Sequence, residues 1–182
     1  MPSIFRWDIH DAEQLARALG PYLPDPVHST LSQFVNAAEL AAARHPNEWV
    51  LFYQLADKYQ ALGLFSRSLQ AAKRCVDLEP GDIRSAYALA TAYNVLTRAE
   101  WIGVEQEVLQ LLPMLLGSYD SSFGPSQSKT EIEEMGMVLD TAAAQAIRWF
   151  ERALQLSPDP ASATQIAEDL SALYERFPHL RL

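Results

Sequence analysis

One cysteine in 182 residues excludes an internal disulfide and leaves no companion for a cysteine-based metal site. That residue, Cys75, sits among apolar neighbours in a helical pattern, where a small buried thiol is expected rather than a nucleophile. No apolar run reaches membrane-spanning length, because charge or proline interrupts every leucine-rich stretch, so membrane insertion is not expected. The opening Met1-Pro-Ser-Ile-Phe-Arg-Trp-Asp has no basic segment followed by an apolar core, so no secretory leader is read there and a cytoplasmic location is expected. Basic residues are also scarce: 14 Lys and Arg face 23 Asp and Glu, a net charge of −9. Phosphate binding needs clustered Lys and Arg, so nucleic acid is excluded as the main ligand.

Catalytic patterns are missing as well. His10, His28, His45 and His179 are scattered, none pairs at the i, i+4 spacing of a helical metal site, and no HExxH run occurs. There is no Gly-x-Ser-x-Gly elbow, P-loop or dinucleotide glycine fingerprint. Glu131, Glu133 and Glu134 cluster where a helix begins, and the positive end of the helix dipole accounts for them without catalysis. The expectation is therefore no enzyme, no metal and no cofactor.

What remains is a composition of ordinary globular character, 49% apolar and 20% charged, rich in Ala, Leu and Gln over long stretches without Gly or Pro. Charge is uneven. Residues 49–82 hold four acids and four bases, whereas residues 117–160 hold seven acids and three bases. A solvated face explains the acidic tract, with docking of a basic partner as the alternative.

The informative signal is an internal period. From Trp49 the chain places Phe52, Leu55, Ala56 and Tyr59 at i, i+3, i+4 and i+7, one stripe of a helix. Gly63 can take the left-handed conformation that ends it. Leu69, Ala72, Cys75 and Val76 form the facing stripe of a second helix, with Ser68 and Ala56 small enough for close backbone approach. Pro80 and Gly81 stop that helix. A hairpin of this size leaves an apolar face uncovered, so neighbours must stack on it. They are present. An Ala-rich helix carrying Phe34, Ala38, Ala41 and Ala42 ends at Pro46, and Pro46 to Pro80 is a step of 34. After Pro80, Ala86, Leu89-Ala90 and Tyr93 recur at the first-helix spacing, with a second helix from about Ala99 to Leu112 before Pro113, a step of 33. The next terminator, Pro158, comes 45 residues later, most of the excess lying in the Ser, Gly and Pro cluster from Gly117 to Ser128. Ile132, Met135 and Leu139, then Ala146, Ile147, Phe150, Ala153 and Leu154, repeat the two stripes. The turn between them near Asp140 is short, so residues 129–157 read either as a hairpin or as one bent helix. Ile166, Leu170, Leu173, Tyr174 and Phe177 make a last amphipathic helix before Pro178.

The segment 49–82 resembles the repeat unit of the tetratricopeptide repeat (TPR) family, and the likeness extends over roughly residues 30–160. The resemblance implies an all-α fold, antiparallel helix hairpins stacked as a short right-handed solenoid with capping helices. As a single helical-repeat domain it divides into an atypical N-terminal cap (1–28), a partial repeat (29–48), the best repeat (49–82), a further repeat (83–116), an inserted loop (117–128), another repeat (129–160) and a C-terminal capping helix (161–178). In that family ligands usually lie along the groove lined by first helices. Position by position, that implies Tyr53, Asp57 and Gln60 in the best repeat, and Arg84, Tyr87, Thr91 and Asn94 in the next, as partner-binding residues. Family members that clamp a chaperone's C-terminal carboxylate carry Lys and Asn on these faces, whereas Tyr53 and Asp57 stand here, so that ligand is rejected. Two tyrosines among polar groups suit a peptide, helix or protein surface. The expected function is a protein-interaction module, an adaptor, chaperone-like or assembly factor. The alternative is a structural subunit of a homo- or hetero-oligomer, motivated by Phe5, Trp7, Leu180 and Leu182 near the ends.

Overall fold

A computed structural model describes residues 31–98, 129–156 and 158–181, with only the helix backbone described over 129–138. The expected N-terminal cap (1–28), the second helix of the 83–116 repeat, the 117–128 loop, and the side chains of Ile132 and Met135 lie outside the described residues. Within them the chain is all-helical, with no strand. The helices are α1 (Leu31–Arg44), α2 (Trp49–Ala61), α3 (Phe65–Leu78), α4 (Ile83–Leu96), α5 (Lys129–Gln155) and α6 (Pro160–Arg176), followed by a 3-10 turn at Pro178–Leu180.

Local chemistry sets the boundaries. α2 ends in a Schellman motif: Leu64 N–H donates to Tyr59 O (2.8 Å) and Gly63 N–H to Gln60 O (3.0 Å), with Gly63 at φ 73°. A Cβ at Gly63 would meet only the Phe65 ring, at an ordinary 3.7 Å, so the demand on this position comes from the backbone rather than from space. Gly63→Ala is expected to cost about 1–2 kcal/mol, measured as a lower urea midpoint at unchanged m; an unchanged midpoint would mean the turn does not hold this conformation. α4 starts at Asp82, whose carboxylate accepts from Arg84 N (2.7 Å). α6 starts at Asp159, which accepts from Ala161 N and Ser162 N with Pro160 behind it as the first helical residue.

The expected stripes are buried in the main, but Phe52 and Val76 are only half-buried, and Leu51, which the stripe did not include, is fully buried. Val35, Ala38, Ala41 and Ala42 of α1 are buried, Phe34 half so. Leu51, Leu55, Ala56 and Tyr59 of α2 face Leu69, Ala72 and Cys75 of α3 in one core. The hydroxyl of Ser68 donates to Ala56 O at 2.8 Å, which brings the two helix backbones close. α4 is buried on nearly every side, from Ser85 to Ala90 and again at Ala92, Tyr93, Asn94 and Leu96, because α2, α3 and α5 all pack on it. Cys75 is fully buried, with its sulfur 3.1 Å from Ser85 Oγ.

Residues 129–155 form one helix of 27 residues and not the hairpin. Between Met137 and Leu156 there is no Gly or Pro, and Thr141 is followed by three alanines, so helix propensity carries the backbone straight through the place where a turn was short. Ala142, Ala143, Ala146, Ile147, Phe150 and Ala153 are its buried stripe, and its most extensive packing is on α4. α6 seats on α5 through Ile166 and Leu173, both fully buried. Leu180 packs partly buried against the same core, so it is not a free apolar end.

Two short turns reverse the chain between α2, α3 and α4, so α2 and α4 run the same way. α4 and α6 also run the same way, since Tyr87 meets Asp169 and Asn94 meets Arg176, equal steps of seven along both helices. The result is a row of three parallel helices, α2, α4 and α6, with α3 joining the first two and α5 the last two.

Candidate partner-binding face

The start of the row holds an aromatic and cationic group. Trp49 opens α2, and Tyr53 follows one turn later with its ring edge toward the indole, centroids 6.3 Å apart. Arg84, in the first turn of α4, lays its guanidinium over the Trp49 ring at 4.7 Å. Asp82 fixes that guanidinium in a two-pronged pair, Nε to Oδ1 at 2.9 Å and Nη2 to Oδ2 at 2.6 Å. Trp49, Tyr53 and Arg84 are all half-buried, a state in which a ring is positioned by the fold yet keeps surface for a ligand.

The other expected positions diverge. Asp57 is exposed and pairs with its neighbour Lys58 at 2.6 Å, a surface contact of little energetic weight. Gln60 is half-buried, and its carbonyl accepts from Gly63 in the turn that ends α2. Thr91 turns its hydroxyl onto Ala88 O of its own helix, at 3.0 Å. Tyr87 is buried: its ring meets Phe150 edge-on at 5.7 Å and its hydroxyl donates to Asp169 of α6 at 2.9 Å. Burial, and then the Asp169 carboxylate beside it, push the Tyr87 phenol well above its ordinary pKa. Asn94 is buried too, its Oδ1 accepting from Arg176 Nη2 at 2.7 Å. Two of the seven positions therefore meet the chain's own C-terminal helix, while Tyr53 and Arg84 sit together around Trp49.

Trp49, Asp169 and Arg176 were not among the expected site residues. Trp49 was within reach of the sequence, standing four residues before Tyr53 on the same helical face. Asp169 and Arg176 lie 82 residues from their partners and had no local signal. No protein-family model matches the chain, and no curated protein matches it. Among the described residues no group of three or more His, Cys, Asp or Glu side chains could hold a metal ion, and no helix is long and apolar enough to cross a membrane. A cavity of about 330 Å³ runs along α6 and the turn after it, lined by Leu170, Tyr174, Glu175 and Arg181 among others. The guanidinium of Arg181 lies 5.7 Å from the Tyr174 ring centre, and Tyr174 donates to Glu151 at 3.0 Å, so the aromatic wall of this cavity is tied down by its own neighbours.

Proposed function

We propose that this protein is a cytoplasmic protein-interaction module, an adaptor or assembly factor without catalytic activity, built as a short TPR-like right-handed solenoid. In this reading the row of α2, α4 and α6 presents the face on which a peptide, helix or protein surface is held. The observation that carries it is the half-buried group of Trp49, Tyr53 and Arg84 at the start of that row. Trp, Tyr and Arg are the side chains that dominate binding energy when a partner covers them, because each offers broad, rigid contact with a polar tip. Supporting it are the Schellman turn at Gly63, the Ser68–Ala56 close approach and the burial of the Leu55–Ala56–Tyr59 stripe, which are what a repeat hairpin of that family requires.

Capture from an extract of cells that make the protein tests this. Tyr53→Ala is expected to weaken the main partner by about 2 kcal/mol, roughly 30-fold in Kd. Tyr87→Phe, which keeps the buried ring and removes only the hydroxyl, is expected to leave partner recovery unchanged. Equal recovery by wild type and Tyr53→Ala would reject the face.

A further inference from the structure

We infer that Asn94, Arg98 and Arg176 form a binding site for an oxyanion, the carboxylate or phosphate group of a ligand. α4 and α6 run the same way, and Arg176 of α6 reaches across to the carboxyl end of α4. Arg176 donates through Nη2 to Asn94 Oδ1 (2.7 Å), through Nη1 to Thr97 Oγ1 (3.0 Å) and through Nε to Ala172 O (3.4 Å). All three acceptors are neutral. Arg67 and Arg84, by contrast, each have a carboxylate, Glu39 and Asp82. Among the described residues neither Arg176 nor Arg98 has one.

The amide of Asn94 points to the same deficit. Asn94 is only 8% exposed, its Oδ1 is engaged by Arg176, and its N–H₂ group has no acceptor among the described residues. Buried donors without acceptors are rare, and each calls for a partner. Thr97, also buried, spends its hydroxyl proton on Asn94 O at 2.7 Å and so offers the cluster no negative charge. Arg98 follows Thr97 directly and is exposed. Arg176 is exposed as well; desolvation of part of its guanidinium, and then the nearby charge of Arg98, lower its pKa. The carboxyl ends of α4 and α6 supply roughly half a negative charge each. The charges of Arg176 and Arg98 exceed that, and an anion accepting from the Arg176 guanidinium and the Asn94 amide would balance them.

The inference goes beyond the aromatic face: a chain that holds no protein through Tyr53 can still hold an anion here, so the two fail separately. The test is a ¹H–¹⁵N NMR titration of the full chain with inorganic phosphate and with acetate, against sodium chloride at matched ionic strength, following Arg176 Nε–H and the Asn94 side-chain amide. Saturating shifts with phosphate, acetate or both, absent with chloride, are expected, and the anion that saturates at lower concentration identifies the ligand group. Arg98→Gln, at an exposed position that the fold does not depend on, is expected to weaken that binding by roughly tenfold; Lys58→Gln, on α2, is expected to leave it unchanged. Shifts that match chloride, that never saturate, or that persist unaltered in Arg98→Gln overturn the site.

Discussion

Phe150→Ala is expected to cost about 3–5 kcal/mol, a large part of the roughly 5–15 kcal/mol that holds a domain folded. Phe150 is fully buried at the centre of the α5 stripe, with its ring edge-on to Tyr87 of α4. Truncation removes the apolar area and also leaves a void that rigid helices on both sides fill poorly. It undermines the Tyr87–Asp169 bond as well, since the Phe150 ring helps fix where the phenol sits. Leu40→Ala is the matched control. Leu40 is 54% exposed on α1, so its loss is expected to stay within about 0.5 kcal/mol. Urea midpoints of the two variants give the comparison. A Phe150→Ala shift no larger than that of Leu40→Ala would mean that α5 does not pack on α4 as described.

Raising the pH is the second large perturbation. Burial pushes the Cys75 thiol from 9.0 up to about 12, with Asp82 and Glu79 adding to it and the Ser85 hydrogen bond opposing. Burial, with Glu39 as its hydrogen-bond partner, pushes the Tyr59 phenol from 10.0 to about 12. Tyr87 is raised further still, by burial and Asp169. An unfolded chain gives up these protons near their ordinary values, whereas the folded chain keeps them to about 12. Over that window the folded state binds more protons, so its stability is full below the unfolded values and falls as pH rises. The slope is roughly 1.4 kcal/mol per pH unit for each group that resists completely. A steep loss of the urea midpoint from about pH 8 to about pH 11 is expected, and the double variant Cys75→Ala/Tyr59→Phe should make it shallower, leaving the part that Tyr87 contributes. A wild-type midpoint that holds level to about pH 11 would show that these groups are not shielded.

What was legible in the sequence was local. The i, i+3, i+4, i+7 stripe of Phe52, Leu55, Ala56 and Tyr59, the glycine at 63 and the proline at 80 are each read within one or two helical turns, and α2 and α3 end, and α4 begins, where that chemistry puts them. Pro178 closes α6 in the same way. Residues 129–157 read either as a hairpin or as one bent helix, and the single helix is the outcome, because a repeated stripe fixes which side is buried, not where the backbone turns. A turn needs its own residues, and Asp140–Ala144 has none. The candidate site was legible to the same depth. Tyr53 and Arg84 were singled out by position in the segments that resemble the repeat, and they gather around Trp49. Tyr87 and Asn94 came from the same positional logic, yet they are buried against α6. A helical pattern marks a face but not the distant segment that covers it.

The central claim is that the Trp49–Tyr53–Arg84 face holds a protein. A photo-crosslinking amino acid placed at Tyr53, in cells that make the protein, tests it most directly, with the same group at the exposed Leu40 of α1 as reference. The expected result is a discrete crosslinked partner from position 53 that is absent from position 40. No crosslink at 53, or the same products from both positions, would contradict it.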